Sequence, residues 1–260
     1  MRLRIALAFG LLALSTSAWA GAPLRLCFED VNQAYWTRTD GKGVILDLLR
    51  KVESRLGEHF TYTPMPWTRC LEEVRIGAMD AAVGAGDAPE RRDYAVFPTL
   101  PDGSIDTRYA IWIDVFSVYY RTGSDVKWDG KTLATPGNVV MAQRSYVVAS
   151  ILRERGYKVV EAAKSSVDSL RLLAQGSVDA AVLQGVEAQW LCANDVRFRG
   201  KVVRGTRPYV VLPLYLLPSR LSYDSDPKRI QAIWSEIRNV RASAEYRKGE
   251  EAAARVYHGN

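Results

Sequence analysis

Apolar residues recur at helical spacing in some stretches of the chain and in short unbroken runs in others, and the two kinds alternate. Leu24 to Phe28 reads as a strand. Ile45, Leu48, Leu49, Val52 and Leu56 keep to one helical face and stop before Gly57. Phe60 to Thr63 predicts a second strand, and Pro66-Trp67 leads into a helix ending at Gly77. Further on, Leu133-Ala134-Thr135 predicts a strand, Ser145 to Arg155 a helix stopped by Gly156, and Lys158-Val159-Val160 another strand. Ser165, with Asp168 three residues on, caps the next helix much as a capping box does. Each stretch reads strand, helix, strand, helix, strand, the order of a parallel-sheet α/β unit.

A repeat supports two such units. Leu71 to Val83 and Leu170 to Val182 both follow L-x-x-[VL]-x-x-G-x-x-D-A-A-V. Each is an amphipathic helix ended by a glycine, which tolerates the left-handed conformation past a helix end, and then a short buried strand. Between the units, Ala110 to Tyr120 is apolar and aromatic without a breaker. Tyr209 to Leu217 is a second extended apolar run, interrupted by Pro213. As a pair flanking the second unit, these runs are expected to be two crossings of a hinge. Asp226 then caps a helix with Pro227 at its first position and Ile230, Ile233, Trp234 and Ile237 on its buried face.

The start of the chain changes the compartment. Arg2 and Arg4 precede an apolar run from Ile5 to Leu14, and Ala18-Trp19-Ala20 offers a small-x-small site before Gly21. This is the pattern of a secretory signal peptide over residues 1–20, cleaved after Ala20; the run is far short of the roughly 20 apolar residues of a membrane span. Leu26 before Cys27 is too large for a lipidation site. The formal charge is +6, two units of which come from Arg2 and Arg4. With no basic block and no aromatic-basic ladder, nucleic acid is not expected as a partner. Only two histidines, His59 and His258, and no C-x-x-C pair are present, so neither a metal nor another cofactor is expected.

These pieces, taken in order, resemble the type 2 periplasmic solute-binding proteins, in the family (family 3) that includes amino-acid-binding components of ABC transporters. The resemblance rests on Leu24 to Phe28 as first strand, Gly43 to Asp47 opening the first helix, Pro66-Trp67, the G-x-x-D strand, and Pro89-Glu90-Arg91 six residues before Phe97. It implies an α/β fold of two lobes, each a mainly parallel sheet flanked by helices, joined by two hinge crossings. Lobe 1 would comprise 21–117 and 206–260, and lobe 2 118–205.

It also implies that a ligand binds where loops follow the strands. The residues there are Glu29, Asp30, Tyr35, Trp36, Trp67, Arg69, Gly86, Asp87, Arg91, Arg144, Ser145, Tyr146 and Gln184. Arg91 matches the arginine that clamps an α-carboxylate in amino-acid binders, a task suited to a planar guanidinium fork. Gly84, Ala85 and Gly86 replace the usual hydroxyl side chains, and Gln184 falls where an aspartate usually meets the α-ammonium. Arg144-Ser145-Tyr146 begins a helix, whose free N–H groups favour an anionic group; Ser145 could equally be a cap. Cys27 ends the first strand and Cys70 lies just past the second, neighbouring points of a parallel sheet, so a Cys27–Cys70 disulfide is expected, leaving Cys192 free.

The expected function is capture of a small polar, amino-acid-like or carboxylated solute by cleft closure in the periplasm. The protein would be a monomer, not an enzyme, and would deliver to a membrane ABC permease. Two alternatives remain: presentation of the ligand to a separate membrane sensor, and a lyase of the cyclohexadienyl dehydratase type with Glu29, Asp30 or Asp87 as general acid.

Overall fold

The computed structural model describes residues 22–258; the signal peptide expected over 1–20 lies outside them. The first half builds β1 (Leu24–Glu29), α1 (Val44–Leu56), β2 (Phe60–Met65), α2 (Trp67–Arg75), β3 (Ala81–Gly86) and the single turn α3 (Pro89–Arg92). Four residues of the predicted face of α1 are buried: Ile45, Leu48, Leu49 and Val52 are at most 1% exposed, each contributing about 1.5–3 kcal/mol by leaving water, whereas Leu56, in the last turn, is 38% exposed. Gly57, at φ 68°, ends the helix in the left-handed region and returns its N–H to Glu53 O.

β4 (Trp112–Arg121) carries the chain into the second half. There follow β5 (Lys127–Trp128), β6 (Leu133–Ala134), β7 (Val139–Met141), α4 (Val147–Glu154), β8 (Lys158–Val160), α5 (Ser166–Ala174), β9 (Ala180–Gln184) and α6 (Gly185–Asn194). The return strand β10 (Val202–Pro218) leads to α7 (Arg220–Ser225), α8 (Pro227–Ala242) and α9 (Ala244–His258). Asp226 accepts from Arg229 N to cap α8, and Trp234 Nε1 donates to Leu216 O, fixing that helix on the sheet.

Eight strands form one ladder in the order β2-β1-β3-β10-β4-β9-β7-β8. Its ends are parallel, β1 with β2 and β3, β7 with β8 and β9, while the crossing strands β10 and β4 are antiparallel to each other and to their neighbours. Read from either end the order is the same, so the halves are topological copies. The sequence repeat occupies equivalent places, α2 into β3 and α5 into β9. Its aspartates do equivalent work. Asp80 exchanges hydrogen bonds with the backbone of Arg25 at the start of β1, its Oδ2 accepting at 2.7 Å; Asp179 does so with Val139 at the start of β7, at 3.2 Å.

The structure corrects three details. Leu133-Ala134 pairs only with Lys127-Trp128 in a separate two-stranded ladder, and the first central strand of the second half is β7, just beyond Gly137-Asn138. The helix predicted from Ser145 starts at Val147, because Ser145 itself has φ +60° and cannot continue a helical turn; Tyr146 stands at the cap position, so Ser145 is not the cap. Pro213 does not break β10, since the β3 ladder begins only at Leu214 and one edge of the strand is free there. Cys27 and Cys70 are joined, S–S 2.05 Å, and Cys192 is free and half-buried. Among the described residues no helix is long and apolar enough to cross a membrane.

Candidate functional site

A cavity opens where β1, β3 and the loops behind them face α4 and β9, enclosing about 510 Å³ of empty space with its mouth included. Six of the residues singled out from the sequence meet here: Glu29, Trp67, Gly86, Arg91, Tyr146 and Gln184. The first four come from the first half and the last two from the second.

Local backbone geometry brings the halves together. The β10 register passes from Ala85 to Val83 and skips Gly84, which bulges at φ +89° and lines the cavity. At Gly86 a Cβ would come within 2.8 Å of Val147 Cγ1, so β3 approaches α4 there more closely than a side chain allows without displacing Val147.

Arg91 is 3% exposed. Its Nη1 donates to Gly86 O at 2.7 Å and its Nη2 to Ser145 O at 2.9 Å, while the guanidinium lies 5.9 Å from the Trp67 ring centroid. Those bonds use two of five N–H donors, and among the described residues no carboxylate lies within ion-pair distance of it. Burial pulls its pKa down, the sign of a charge held out of water without an anion.

Glu29 is 4% exposed and neither of its oxygens has a hydrogen-bond partner. Desolvation, with Asp30 beside it, pushes its carboxyl up to about 8, against the opposing pull of the nearby Trp67 N–H and of Lys164. Tyr146 faces it, and burial lifts that phenol well above its ordinary range.

Further bonds cross between the halves. Gln33 Nε2 donates to Tyr146 Oη at 2.8 Å, Thr68 and Ser145 hydroxyls meet at 3.0 Å, and Lys164 Nζ donates to Asp30 at 2.9 Å.

The other predicted site residues lie outside this cavity. Asp30 is engaged by Lys164; Arg69 pairs with Glu73 and Asp87 with Arg92. Arg144 is exposed and donates to Glu161 O. The Ser145 N–H, expected to favour an anionic group, already donates to Glu161 Oε2 at 2.7 Å. Trp36 stacks on Trp112 at 3.9 Å and lines an adjoining cavity; the Tyr35 ring packs against Trp36 at 4.4 Å. Sequence reasoning missed Gln33, Thr37, Trp112 and Phe116, all of which line the main cavity.

Gln184 is 9% exposed, and its amide lies beside Asp114, a carboxylate on β4. Asp114 Oδ2 is buried without a partner, and desolvation raises this carboxyl to about 7 against the pull of the Val115 N–H and the Gln184 amide.

No protein-family model matches the chain, and no curated protein sequence matches it significantly. Solved structures do. A histidine kinase sensor domain with similarity to periplasmic binding proteins superposes with TM-score 0.67 at 17% identity, covering 92% of this chain and 96% of that one. The GluR0 ligand-binding core from Nostoc punctiforme, in complex with L-glutamate, gives 0.68 at 16% identity over 91% and 99%. A putative binding component of an ABC transporter from Wolinella succinogenes, complexed with lysine, gives 0.65 at 14% identity over 92% and 96%. The chain has the two-lobed α/β fold of the periplasmic binding proteins.

Proposed function

We propose that this chain is a periplasmic solute-binding protein that captures a small carboxylated solute between its halves, 21–117 with 206–260 on one side and 118–205 on the other. The observation that carries the reading is Arg91: a cation 3% exposed, without an anionic partner, in a cavity lined from both halves. A buried charge without a counter-ion costs several kcal/mol, and a bound carboxylate offsets that cost with a bidentate pair. Trp67, Trp112 and Phe116 supply the apolar wall. The chain would leave the cytoplasm with its signal peptide, act as a monomer, and deliver its ligand to an ABC permease or present it to a membrane sensor. The compared structures printed as an ABC binding component and as a kinase sensor domain support both kinds of partner.

A thermal-shift screen of the exported protein against amino acids, small organic acids, polyamines and aromatic amines tests the reading. A carboxylated ligand at 100 times its Kd should add about 2.7 kcal/mol of stability. Stabilisation by polyamines alone, with no carboxylated compound acting, would contradict it.

One observation favours a second reading. Glu29, held protonated in a cavity that also holds a cation, has the properties of a general acid, as a lyase eliminating water from a carboxylated ring requires. Turnover of prephenate or arogenate would establish it, and its absence in a sensitive assay would leave binding alone.

A further inference from the structure

The hydrogen-bonding groups on the walls of the Arg91 cavity are unequal in kind. Three of them present hydrogens that no described residue accepts. Arg91 gives two of its five N–H donors to Gly86 O and Ser145 O and has no acceptor for the rest. Trp112, on β4, is 4% exposed, and its Nε1 donor has no partner. Tyr146, just before α4, accepts from Gln33 Nε2 at 2.8 Å through Oη, and its own hydroxyl hydrogen is unclaimed. A buried indole N–H without an acceptor is uncommon unless a ligand or water supplies one.

Acceptors are scarce by comparison. Glu29 is the one carboxyl among the described residues that line the cavity. Burial raises it to about 8, so at neutral pH it presents a proton of its own. Gln33 Oε1 already accepts from the Thr37 hydroxyl at 3.2 Å. Gln184 is neutral, and Asp114 beside it is not on the wall. An ammonium in this space would meet the buried Arg91 charge with no ionised carboxylate to hold it, and would leave the Trp112 hydrogen without an acceptor. A neutral oxygen brings no charge and accepts that hydrogen.

We propose that Trp112 is a specificity-determining residue, whose Nε1 donates to an oxo oxygen that the solute carries in addition to its carboxylate, so that the cavity takes oxo acids in preference to amino acids of the same chain. The inference rests on the Arg91 reading for the carboxylate and deepens it by naming the class of solute. Tyr146, from the other half, supplies a second hydrogen to the same acceptor-rich solute.

Calorimetric titration with chain-matched probes tests this. Pentanoate is the reference; 2-oxopentanoate and 4-oxopentanoate add an acceptor oxygen, while norvaline and 4-aminopentanoate place an ammonium at the same carbons. At least one oxo acid should bind wild-type protein about tenfold tighter than pentanoate, and each should bind tighter than its amino counterpart. Trp112→Phe, which keeps a ring against Trp36 and removes the donor, should erase the gain from the oxo group. It should hold pentanoate affinity within about threefold and shift the melting temperature by no more than a few degrees. The ranking in wild type is a test without the variant.

If pentanoate binds and Arg91→Met abolishes its binding, but the amino compounds match or exceed the oxo acids, the proposal is wrong and the Arg91 reading stands. If the oxo gain survives in Trp112→Phe, Trp112 is not the selecting donor and the proposal is again wrong, with Tyr146→Phe showing whether the phenol holds that oxygen instead. If none of the five probes binds, both readings fall.

Discussion

Arg91 Nη2 donates to the backbone carbonyl of Ser145 at 2.9 Å, joining the buried cation of one half to the other half through main chain alone. Ser145 holds φ +60°, which costs a non-glycine residue about 1–2 kcal/mol. Its contribution to the cavity is therefore the direction of its carbonyl, while its hydroxyl meets only Thr68. Ser145→Gly should retain solute affinity within about threefold, with stability within about 1 kcal/mol of wild type as relieved strain offsets the lost hydroxyl contact. Calorimetry and urea unfolding measure both. A large affinity loss in Ser145→Gly would show that the hydroxyl itself contacts the ligand.

Glu29 makes unliganded stability depend on pH. Its carboxyl is raised to about 8 in the folded chain, so between its ordinary value of 4.5 and about 8 the native state holds a proton that the unfolded chain releases. The penalty from this group is absent below that window and complete above it. Melting temperatures of wild type and Glu29→Gln should coincide near pH 4, below the window, with the variant more stable by several degrees at pH 8. Asp114, raised in the same direction, acts in both proteins and cancels in the comparison. A constant offset across the range would contradict the assignment.

The Cys27–Cys70 bond closes a sequence separation of 43 residues between two side chains that are 0% exposed. Loop-closure entropy puts its contribution at about 4 kcal/mol. The Cys27→Ala/Cys70→Ala double variant should lose about that much in urea unfolding. Cys192, whose thiol burial pushes up to about 12, should resist thiol reagents in the folded protein and react once it is unfolded. Three reactive thiols in unreduced, denatured protein would show that the disulfide does not form.

Asp80→Asn and Asp179→Asn should each destabilise the protein, by about 2 kcal/mol, because each removes the charge from a hydrogen bond to the backbone of its half's first strand. Similar losses in urea unfolding from the two variants would express the internal symmetry energetically, and a loss confined to one would deny it.

That symmetry was legible in the sequence, since a helix ended by glycine and a strand opened by aspartate leave a periodic trace in both halves. So were β1, most of α1, the cap at Asp226 and the place of Arg91 on the cavity wall. What escaped did so for physical reasons. β7 is three residues long, too short for any period to show. Trp112 lies inside the apolar run of β4, where the apolar residues that face the cavity cannot be told from those that face the core; Asp114, the one carboxylate in that run, was a signal that went unread. Gln33 is a loop residue whose partner, Tyr146, is 113 positions away. The reading of Ser145 as a helix cap failed because a left-handed backbone at a non-glycine residue gives no sequence signal.

Calorimetric titration of the tightest carboxylated ligand into wild type and Arg91→Met, both shown folded by their melting transitions, tests the central claim most directly. The account predicts one site per chain in wild type and at least about 30-fold weaker binding in the variant, the loss expected when one partner of a buried charge pair is removed. Equal affinities would show that the carboxylate binds elsewhere and that Arg91 is a structural cation alone.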